Sequence, residues 1–115
     1  MEVVRGDIWW ADLPDPLASD PGGTRPVLIV QANAFNRSRI ATILVVVITT
    51  NERLGTLPGN VALPPRGTGL KKPSAVNVSQ VLTADRTFLR ERIGRVSSET
   101  MARVESGLKL VLGLT

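Results

Sequence analysis

Two β-branched runs near the middle of the chain constrain its fold more than any other feature. "RPVLIVQA" covers residues 25–32, and "ATILVVVITT" covers residues 41–50. Both have the length of a strand, and both are too continuously apolar to be surface helices. They therefore predict two β-strands, joined by the polar crossover "NAFNRSR" with room for one helical turn.

Shorter strand signals surround this pair. "GDIWWADL" alternates imperfectly up to Pro14, and a loop rich in Pro, Gly and Asp follows it. "GNVALP", "SAVNVSQV" and "IGRV" also have strand composition, and "RGTGLKKP" between the first two predicts a mobile basic loop. Five or six short strands in 115 residues predict one mainly β domain over residues 1–115, built as a small, strongly bent β-barrel.

The last segment has a helical pattern instead. Ser97 is a predicted N-cap, and Glu99 falls in the first turn, at the positive end of the helix dipole. Apolar residues then recur at spacings of three and four, namely Met101, Val104, Leu108 and Val111. Glu105 and Lys109 predict an i,i+4 ion pair, and Gly113 can end the helix. The sequence thus predicts a C-terminal α-helix that caps the barrel.

The composition excludes several kinds of active site. The chain has no cysteine and no histidine, which removes disulfides, thiolate and imidazole metal sites, and Ser-His-Asp catalysis. The acidic residues of "GDIWWADLPDP" are spread along a strand and its exit, so they predict a solvated edge and not a two-metal centre. A serine nucleophile with Lys71 or Lys72 as its base is disfavoured, because neither lysine stands in an SxxK motif. We expect no metal and no cofactor.

The charge is unevenly spread along the chain. The first twenty residues contain five acidic residues and one basic residue, whereas the remainder contains thirteen basic and five acidic residues, a net charge of +8. Such a basic body indicates a polyanionic partner, most commonly a nucleic acid. The start of the chain lacks an apolar signal region, and the longest apolar run, "IATILVVVI", is too short to span a bilayer. We therefore expect a cytoplasmic protein.

Arg25 is the most informative candidate for chemistry. In "GGTRPVLIVQ", a glycine turn places it directly before a strand, and Pro26 fixes the backbone after it. A guanidinium stays charged and can contact two phosphate oxygens at once. RNA carries its own nucleophile, the 2′-hydroxyl, so a protein can cleave it by orienting that group and stabilising the phosphorane oxygens. From the residues alone, however, an ordinary solvent-exposed arginine at a strand end is the simpler interpretation.

A family resemblance changes that balance. From "RGDIWWADL" through "GGTRPVLIVQ", "VVVITTN" and "PSAVNVSQV" to "IGRV", the chain resembles the MazF/PemK family of toxin–antitoxin ribonucleases. The resemblance implies an SH3-like barrel with a C-terminal helix, a homodimer, and metal-independent, sequence-specific cleavage of single-stranded RNA to 2′,3′-cyclic phosphate and 5′-hydroxyl ends. It also implies a MazE-like antitoxin that occludes the RNA groove, operator DNA bound only through that antitoxin, and no membrane association.

The same resemblance assigns roles to individual residues. It makes Arg25 and Thr49 the catalytic pair, and strand alternation turns Thr50 to the opposite face. The expected substrate contacts are Ser74, Gln80, Asp20, Lys71, Lys72 and Arg86. Among these, Ser74 and Gln80 share strand parity, and Arg86 belongs to the basic stretch "DRTFLRERIGR", whose arginines are expected to follow phosphates. Pro73-Ser74 and "QVLT" depart from the family's usual Asp-Ser and Gln-Ile-Arg-Thr, which affects the recognised sequence more than the activity.

Two alternatives from other functional classes remain open. CcdB-type gyrase poisons share the barrel, but they depend on a C-terminal Trp-Gly-Ile tail, whereas this chain ends in "VLGLT". A non-catalytic SH3-like RNA-binding module needs the basic surface but no Arg25–Thr49 pair. Trp9 and Trp10 bear on either kind of RNA binding, because alternation buries one and leaves the other free to contact a partner or to stack on a base.

Overall fold

The two β-branched runs form strands, as predicted, and these strands lie at the centre of an antiparallel sheet. This computed structural model describes residues 2–13 and 23–114. Its strands are β1 (Asp7–Leu13), β2 (Gly23–Ile29), β3 (Thr42–Thr49), β4 (Val61–Leu63), β5 (Ser74–Asp85) and β6 (Leu89–Arg95). Its helices are α1 (Asn33–Asn36) and α2 (Ser98–Leu112), with single 3₁₀ turns at Glu52–Thr56 and Arg86–Phe88. The strand order is β4-β5-β3-β2-β1-β6, and the sheet curls into a half-barrel.

Both faces of the curled sheet are buried, which explains why β2 and β3 are apolar without alternation. One face carries the buried side chains Ile8, Leu28, Val46, Ile48 and Val76 and packs against Met101 and Val104 of α2. The opposite face carries Trp9, Val27, Val45 and Val47 and packs against Leu89. We call these the helix face and the far face. Neither α1 nor α2, the helices of the described residues, is long and apolar enough to cross a membrane.

The predicted helix is confirmed, with one difference in its contacts. The Ser97 hydroxyl oxygen accepts a hydrogen bond from the Thr100 backbone N–H at 3.1 Å, and Gly113 ends α2 in the left-handed region with φ 67°. Glu105, however, pairs with Arg5 at 2.8 Å and not with Lys109. Helical spacing identifies neighbours on the same helix, but it cannot identify a partner such as Arg5, which precedes β1.

The connection between β2 and β3 is held by a buried amide. Gln31 follows β2 and is 7% exposed. Its side-chain nitrogen donates to the Thr42 carbonyl at 3.1 Å, and its side-chain oxygen accepts from the Leu44 backbone N–H at 3.2 Å. Asn36 of α1 accepts a further bond from the same side-chain nitrogen at 3.0 Å. Gln31 therefore replaces a ladder partner where β2 stops and fixes where β3 starts.

Strand β5 contains an irregularity that changes which face its residues occupy. Val46 of β3 lies opposite Val81, and Ile48 lies opposite Val76. Two steps along β3 thus correspond to five steps along β5. Directly opposite residues share a face, so Val76 and Val81 both lie on the helix face although their sequence parity differs. Residues 77–80 form this bulge.

The bulge separates two residues that the sequence places on one face. Ser74 lies on the helix face, two residues before Val76, whereas Gln80 lies next to Val81 and turns to the far face. Ser74 and Gln80 share sequence parity, but the expectation that they therefore share a face of the sheet is wrong. Within the bulge, the Asn77 side-chain amide donates to the Gln80 side-chain oxygen at 3.1 Å, and Asn77 in turn accepts from the Ser79 hydroxyl at 2.8 Å.

The basic loop after β4, residues 64–73, is packed against β6, whereas its glycines suggest a free loop. Gly94 of β6 lies against it so closely that a Cβ there would overlap the Thr68 carbonyl oxygen. Gly69, at φ +85°, lies against Ile93 in the same way. The Thr68 hydroxyl oxygen also accepts a hydrogen bond from the Leu70 backbone N–H at 3.2 Å. The loop thereby joins the β4 side of the half-barrel to β6, at the other end of the strand order.

Candidate active site

The register of the two central strands aligns Arg25 with Thr49. β2 and β3 are antiparallel, with Val27 opposite Val47. Following the same register two residues toward that end of the sheet places Arg25 opposite Thr49. Both then lie on the far face, two residues beyond the last paired residues of the two strands. The fold therefore brings together, on neighbouring strands, the two side chains to which the resemblance gives catalytic roles.

Arg25 is also fixed from its other side. It lies opposite Ala11 of β1, and the next residue, Pro26, lies opposite Trp10. Arg25 is thus part of a strand with a neighbour on each side and is only partly exposed. Such support restricts where its guanidinium can go, which is what a site for a preorganised charge needs.

Thr49 has a hydrogen-bonding arrangement that suits a donor. Its hydroxyl oxygen accepts a bond from the Asn51 backbone N–H at 3.1 Å. A hydroxyl that accepts through one lone pair can still donate its own proton, here toward the far face. Thr50 is turned to the helix face and is exposed there. The two threonines therefore differ in surroundings as alternation predicts.

Gln80 extends the far-face pair onto a third strand. Because the bulge ends at Val81, opposite Val46, Gln80 lies near the level of Val47, the far-face residue next to Thr49. The strand order β5-β3-β2 then sets Gln80, Thr49 and Arg25 across one end of the sheet. Asn77, which donates to Gln80, was missed by the sequence analysis because a bulge leaves no mark in the alternation of "SAVNVSQV".

A pocket of about 380 Å³ lies on the helix face at the same end of the sheet. It is lined by Trp10, Pro26, Thr50, Gly69, Leu70, Lys71, Lys72, Ser74 and Ile93. Three of the expected substrate contacts, Lys71, Lys72 and Ser74, are thus brought together. Both lysines are exposed, whereas Ser74 is buried and donates its hydroxyl proton to the Lys72 carbonyl at 3.0 Å. We call this space the Trp10 pocket.

Arg86 is not brought to this end of the sheet. It directly follows Asp85, the last residue of β5, whereas Thr49 lies opposite the second residue of that strand. Its Nε donates to the Ile40 carbonyl at 2.8 Å, and its Nη2 donates to the Asn36 carbonyl at 2.7 Å. Arg86 therefore ties the α1–β3 connection to the end of β5. The remaining expected contact, Asp20, lies outside the described residues.

Two arginines of β6 are engaged within the chain. Arg92 donates to the buried carboxylate of Asp7 at 3.1 Å, and Arg90 donates to Asp12 at 2.7 Å. The Thr24 hydroxyl also donates to Asp12, at 2.6 Å, and these two contacts, Thr24 first, lower the pKa of the Asp12 carboxyl. This strand is longer than the predicted "IGRV" because pairing with β1 recruits the charged residues before it.

No group of acidic side chains suited to a metal ion exists within residues 2–13 and 23–114. Asp7 is occupied by Arg92 and by the indole N–H of Trp9, at 3.3 Å. What the described site offers instead is a guanidinium, hydroxyls, amides and two ammonium groups. This chemistry binds and stabilises phosphate oxygens.

Known proteins match this chain over nearly its whole length. A family model described as PemK-like, MazF-like toxin of type II toxin–antitoxin system matches residues 4–112. Endoribonuclease MazF6 of Mycobacterium tuberculosis is 44% identical over 114 residues, covering 99% of this chain and 100% of that protein. Endoribonuclease EndoA of Bacillus subtilis is 33% identical over 114 residues, covering 99% of this chain and 97% of its own length.

Solved structures of similar proteins share the fold. A mycobacterial endoribonuclease in complex with its cognate antitoxin superposes with a TM-score of 0.81 at 32% identity, covering 98% of this chain and 97% of that one. MazF from Deinococcus radiodurans superposes with a TM-score of 0.80 at 21% identity, covering 98% of both chains. The expected barrel with its C-terminal helix is therefore confirmed. With a family match over nearly its whole length and a curated relative at 44% identity, this chain belongs to the PemK-like, MazF-like toxins of type II toxin–antitoxin systems.

Proposed function

We propose that this single-domain chain, residues 1–115, is the toxin of a type II toxin–antitoxin system and a sequence-specific endoribonuclease that cleaves single-stranded RNA without a metal ion. The observation that carries the proposal is the register that sets Arg25 opposite Thr49, with Gln80 on the neighbouring strand. Relatives that cover its full length are named endoribonucleases, which supports the same activity.

The reaction is a transesterification. The 2′-oxygen attacks the adjacent phosphorus and the 5′-oxygen leaves, which gives a 2′,3′-cyclic phosphate and a 5′-hydroxyl. Arg25 donates two N–H groups to the non-bridging oxygens, where negative charge accumulates in the transition state. The Thr49 hydroxyl donates a hydrogen bond to the reacting phosphate and orients the attacking group. A guanidinium stays protonated and the chain has no histidine, so neither Arg25 nor an imidazole accepts the 2′ proton, and the leaving 5′-oxygen gains a proton in exchange.

The other polar groups at this end of the sheet bind the RNA strand. Gln80 contacts it on the far face, and Ser74, Lys71 and Lys72 contact it on the helix face. Asp20 remains an expected contact from the loop between β1 and β2. Arg86 has no place in this proposal, because its guanidinium is bonded to backbone carbonyls at the opposite end of β5.

The partners follow from the same family. We propose a homodimer that works in the cytoplasm, a MazE-like acidic antitoxin segment that covers the RNA groove, and contact with operator DNA only through that antitoxin. The mycobacterial relative crystallised with its cognate antitoxin supports the antitoxin partner. A cluster of exposed leucines near the end of α2 supports a protein-covered surface, and its members are Leu110, Leu112 and Leu114.

Single-turnover cleavage of a long RNA in EDTA, with both product ends mapped, tests this function. We expect the parent to cut and Arg25→Ala to lower the rate about a hundredfold or more, since losing one preorganised donor costs about 3 kcal/mol of transition-state stabilisation. Arg25→Lys should recover little, because an ammonium cannot contact two oxygens in the same plane. Thr49→Ala should be nearly as damaging.

Thr50→Ala is the matched control, because the same change on the helix face leaves the Arg25–Thr49 pair intact. Circular dichroism confirms that each variant is folded. A folded Arg25→Ala variant that cuts at the parent rate would contradict the assignment, and cleavage that needs magnesium would contradict the metal-independent mechanism. A parent that binds RNA without cutting it would identify a binding module, and one that inhibits gyrase would identify a CcdB-like toxin.

A further inference from the structure

A chain of three side-chain amides leads from Asn60, just before β4, to Gln80 on the far face. The Asn60 side-chain nitrogen donates to the Asn77 side-chain oxygen at 3.3 Å, and the Asn77 side-chain nitrogen donates to the Gln80 side-chain oxygen at 3.1 Å. Asn77 is only 8% exposed. A buried polar group without a partner is costly, so these bonds hold the three amides in one arrangement. We call this set of side chains the amide relay.

The backbone around Asn60 fixes the polarity of the amide relay. The Asn60 side-chain oxygen accepts from the Val78 backbone N–H at 2.9 Å, and its side-chain nitrogen also donates to the Leu54 carbonyl at 2.9 Å. A backbone N–H only donates and a carbonyl oxygen only accepts, so the Asn60 amide cannot be reversed without losing both bonds. With Asn60 fixed, Asn77 must turn its oxygen toward Asn60, and its nitrogen is left to face Gln80.

The last amide of the relay therefore presents only hydrogen-bond donors to the outside. Gln80 gives its side-chain oxygen to Asn77, and its side-chain nitrogen has no hydrogen-bond partner within residues 2–13 and 23–114. That nitrogen carries two N–H groups. Gln80 is partly exposed on the far face, at the end of the sheet that holds Thr49 and Arg25. An unrestrained glutamine can turn either its oxygen or its nitrogen outward, whereas this one turns its nitrogen outward.

From this arrangement we infer that Asn77 is a positioning residue, which together with Asn60 sets the Gln80 amide to donate to an acceptor atom of the RNA strand and to reject a donor there. The inference rests on the proposed ribonuclease function and adds to it the residues that decide the polarity of one contact. Asn77 is buried and acts through Gln80 without touching the RNA. An amide that is oriented before binding also loses less conformational freedom when the RNA arrives.

The amide relay is anchored to the segment that follows Thr49. Leu54, whose carbonyl accepts from Asn60, lies in the 3₁₀ turn Glu52–Thr56. Removing the Asn60 side chain would therefore disturb that turn as well as the relay. Asn77 has no bond to the turn, so its replacement changes the polarity of the relay with less effect on the neighbourhood of Thr49. The experiments for this reason vary Asn77.

Hydrogen exchange of the side-chain amides, followed by NMR, tests the polarity without RNA. In the parent, the Asn77 NH₂ group is bonded inside the chain and the Gln80 NH₂ group faces water, so we expect exchange about tenfold faster at Gln80. Asn77→Asp replaces the donor by an acceptor of the same shape. Gln80 should then rotate its amide, donate to the new carboxylate and become the protected group. Equal protection of the two amides in the parent would overturn the inference.

Binding of non-cleavable RNA oligonucleotides, with a 2′-deoxy residue at the mapped cleavage position, tests the contact itself. One acceptor at a time is removed, from a phosphate by a methylphosphonate and from a base by an analogue that lacks one carbonyl oxygen or ring nitrogen. We expect one position at which removal weakens binding to the parent by about tenfold, the value of one hydrogen bond, and at which Gln80→Ala shows no such penalty. The kind of replacement that carries the penalty identifies the acceptor as phosphate or base.

Asn77→Asp should abolish the penalty at that same position although Gln80 is still present, because the outward group is then an oxygen. Adding Asn77→Asp to Gln80→Ala should change the penalty no further, which a double-mutant cycle measures. Asn51→Asp is the matched control, since it makes the same change at an exposed amide that accepts from the Arg53 backbone N–H and lies outside the relay. It should weaken all oligonucleotides alike through its charge and keep the penalty.

Asn77→Leu serves as a second variant, because it removes the relay without burying a charge. It should weaken the intact RNA by about threefold when Gln80 is present, since the amide is no longer oriented, and have no effect on RNA binding when combined with Gln80→Ala. A loss of stability alone would weaken both backgrounds equally. Thermal unfolding confirms that each variant is folded.

The outcomes separate this inference from the proposed function. If the parent cuts RNA but no acceptor position loses its penalty in Gln80→Ala, then Gln80 does not contact the strand, the inference is overturned and the ribonuclease assignment stands. If Gln80→Ala removes a penalty that both Asn77 variants retain, Asn77 is not a positioning residue and the inference is again overturned. If the parent neither cuts nor binds RNA, the proposed function itself fails, and the inference fails with it.

Discussion

Replacing Arg86 with methionine should destabilise the protein and leave RNA cleavage unchanged, the opposite of what its place in a basic stretch suggests. The guanidinium donates to the Ile40 carbonyl at 2.8 Å and to the Asn36 carbonyl at 2.7 Å, with a third, longer contact of 3.5 Å to Phe35. Methionine has similar length and apolar stem but no donor. The substitution therefore removes these bonds and little else.

The magnitude follows from the two short bonds. A hydrogen bond from a charged group contributes about 1.5–3 kcal/mol when buried, and less where water competes, so about 1 kcal/mol each is reasonable for partly exposed Arg86. The loss is then about 2 kcal/mol. For 115 residues the entropy of unfolding is about 240 cal/mol/K, which converts this loss to a fall in Tm of roughly 8 °C.

Calorimetry and single-turnover cleavage on the same preparations test both halves of the prediction. Arg90→Met is the matched control, because Arg90 bonds only one exposed carboxylate, Asp12, and should change the Tm much less. A variant Arg86→Met with the parent's Tm, or with a markedly lower affinity for RNA, would refute the reasoning. It would return Arg86 to the RNA-binding surface.

Two further predictions concern the carboxyl group of Asp12 in β1 and the packing of the basic loop against β6. Thr24→Val should raise the pKa of Asp12 toward its ordinary value, measured by carboxyl NMR, while the pKa of Asp85, lowered by Thr87, stays unchanged. Because the pKa of Asp12 is lowered in the folded state, its contacts stabilise the fold at pH values above the ordinary pKa of 3.8. This stabilisation is lost as the pH falls through the lowered pKa. An unchanged titration of Asp12 in the variant would contradict this account. Gly94→Ala should displace the basic loop, lower stability by about 1–3 kcal/mol and weaken RNA binding, whereas Gly55→Ala, whose Cβ would meet ordinary contacts at 3.5 Å or more, should do neither.

The parts of the fold that local rules govern could be predicted from the sequence. The N-cap of α2 at Ser97 and its C-cap at Gly113 depend on side chains and backbone preferences within one turn. The opposite orientations of Thr49 and Thr50 depend only on the period of a strand. The stretch from Val45 to Ile48 was recognisable because a strand buried on both faces has no polar side chain to place.

The predictions that were wrong concern features that depend on contacts between distant segments of the chain. The bulge in β5 moves Gln80 to the far face, and it is fixed by pairing with β3, not by its own residues. Arg86 is 46 residues away from Ile40 in sequence, so a basic stretch gave no indication of that partner. The basic loop packs against β6 because Gly94, on that strand, leaves room for it. Glycine was interpreted as freedom where it provides close approach.

The buried amide of Gln31 restricts the separation of Arg25 and Thr49 to values that differ by whole-residue steps of the strand register. It fixes the start of β3 against the end of β2, far from the residues whose alignment it decides. A slip of one residue would turn one of the two side chains to the other face, and the smallest slip that keeps both on the same face moves them about 6.8 Å. The pair cannot be adjusted gradually by shifting strands. Gradual changes of the rate can instead come from neighbours such as Gln80 and Asn77, whereas a change at Gln31 that shifted the register would misalign the pair.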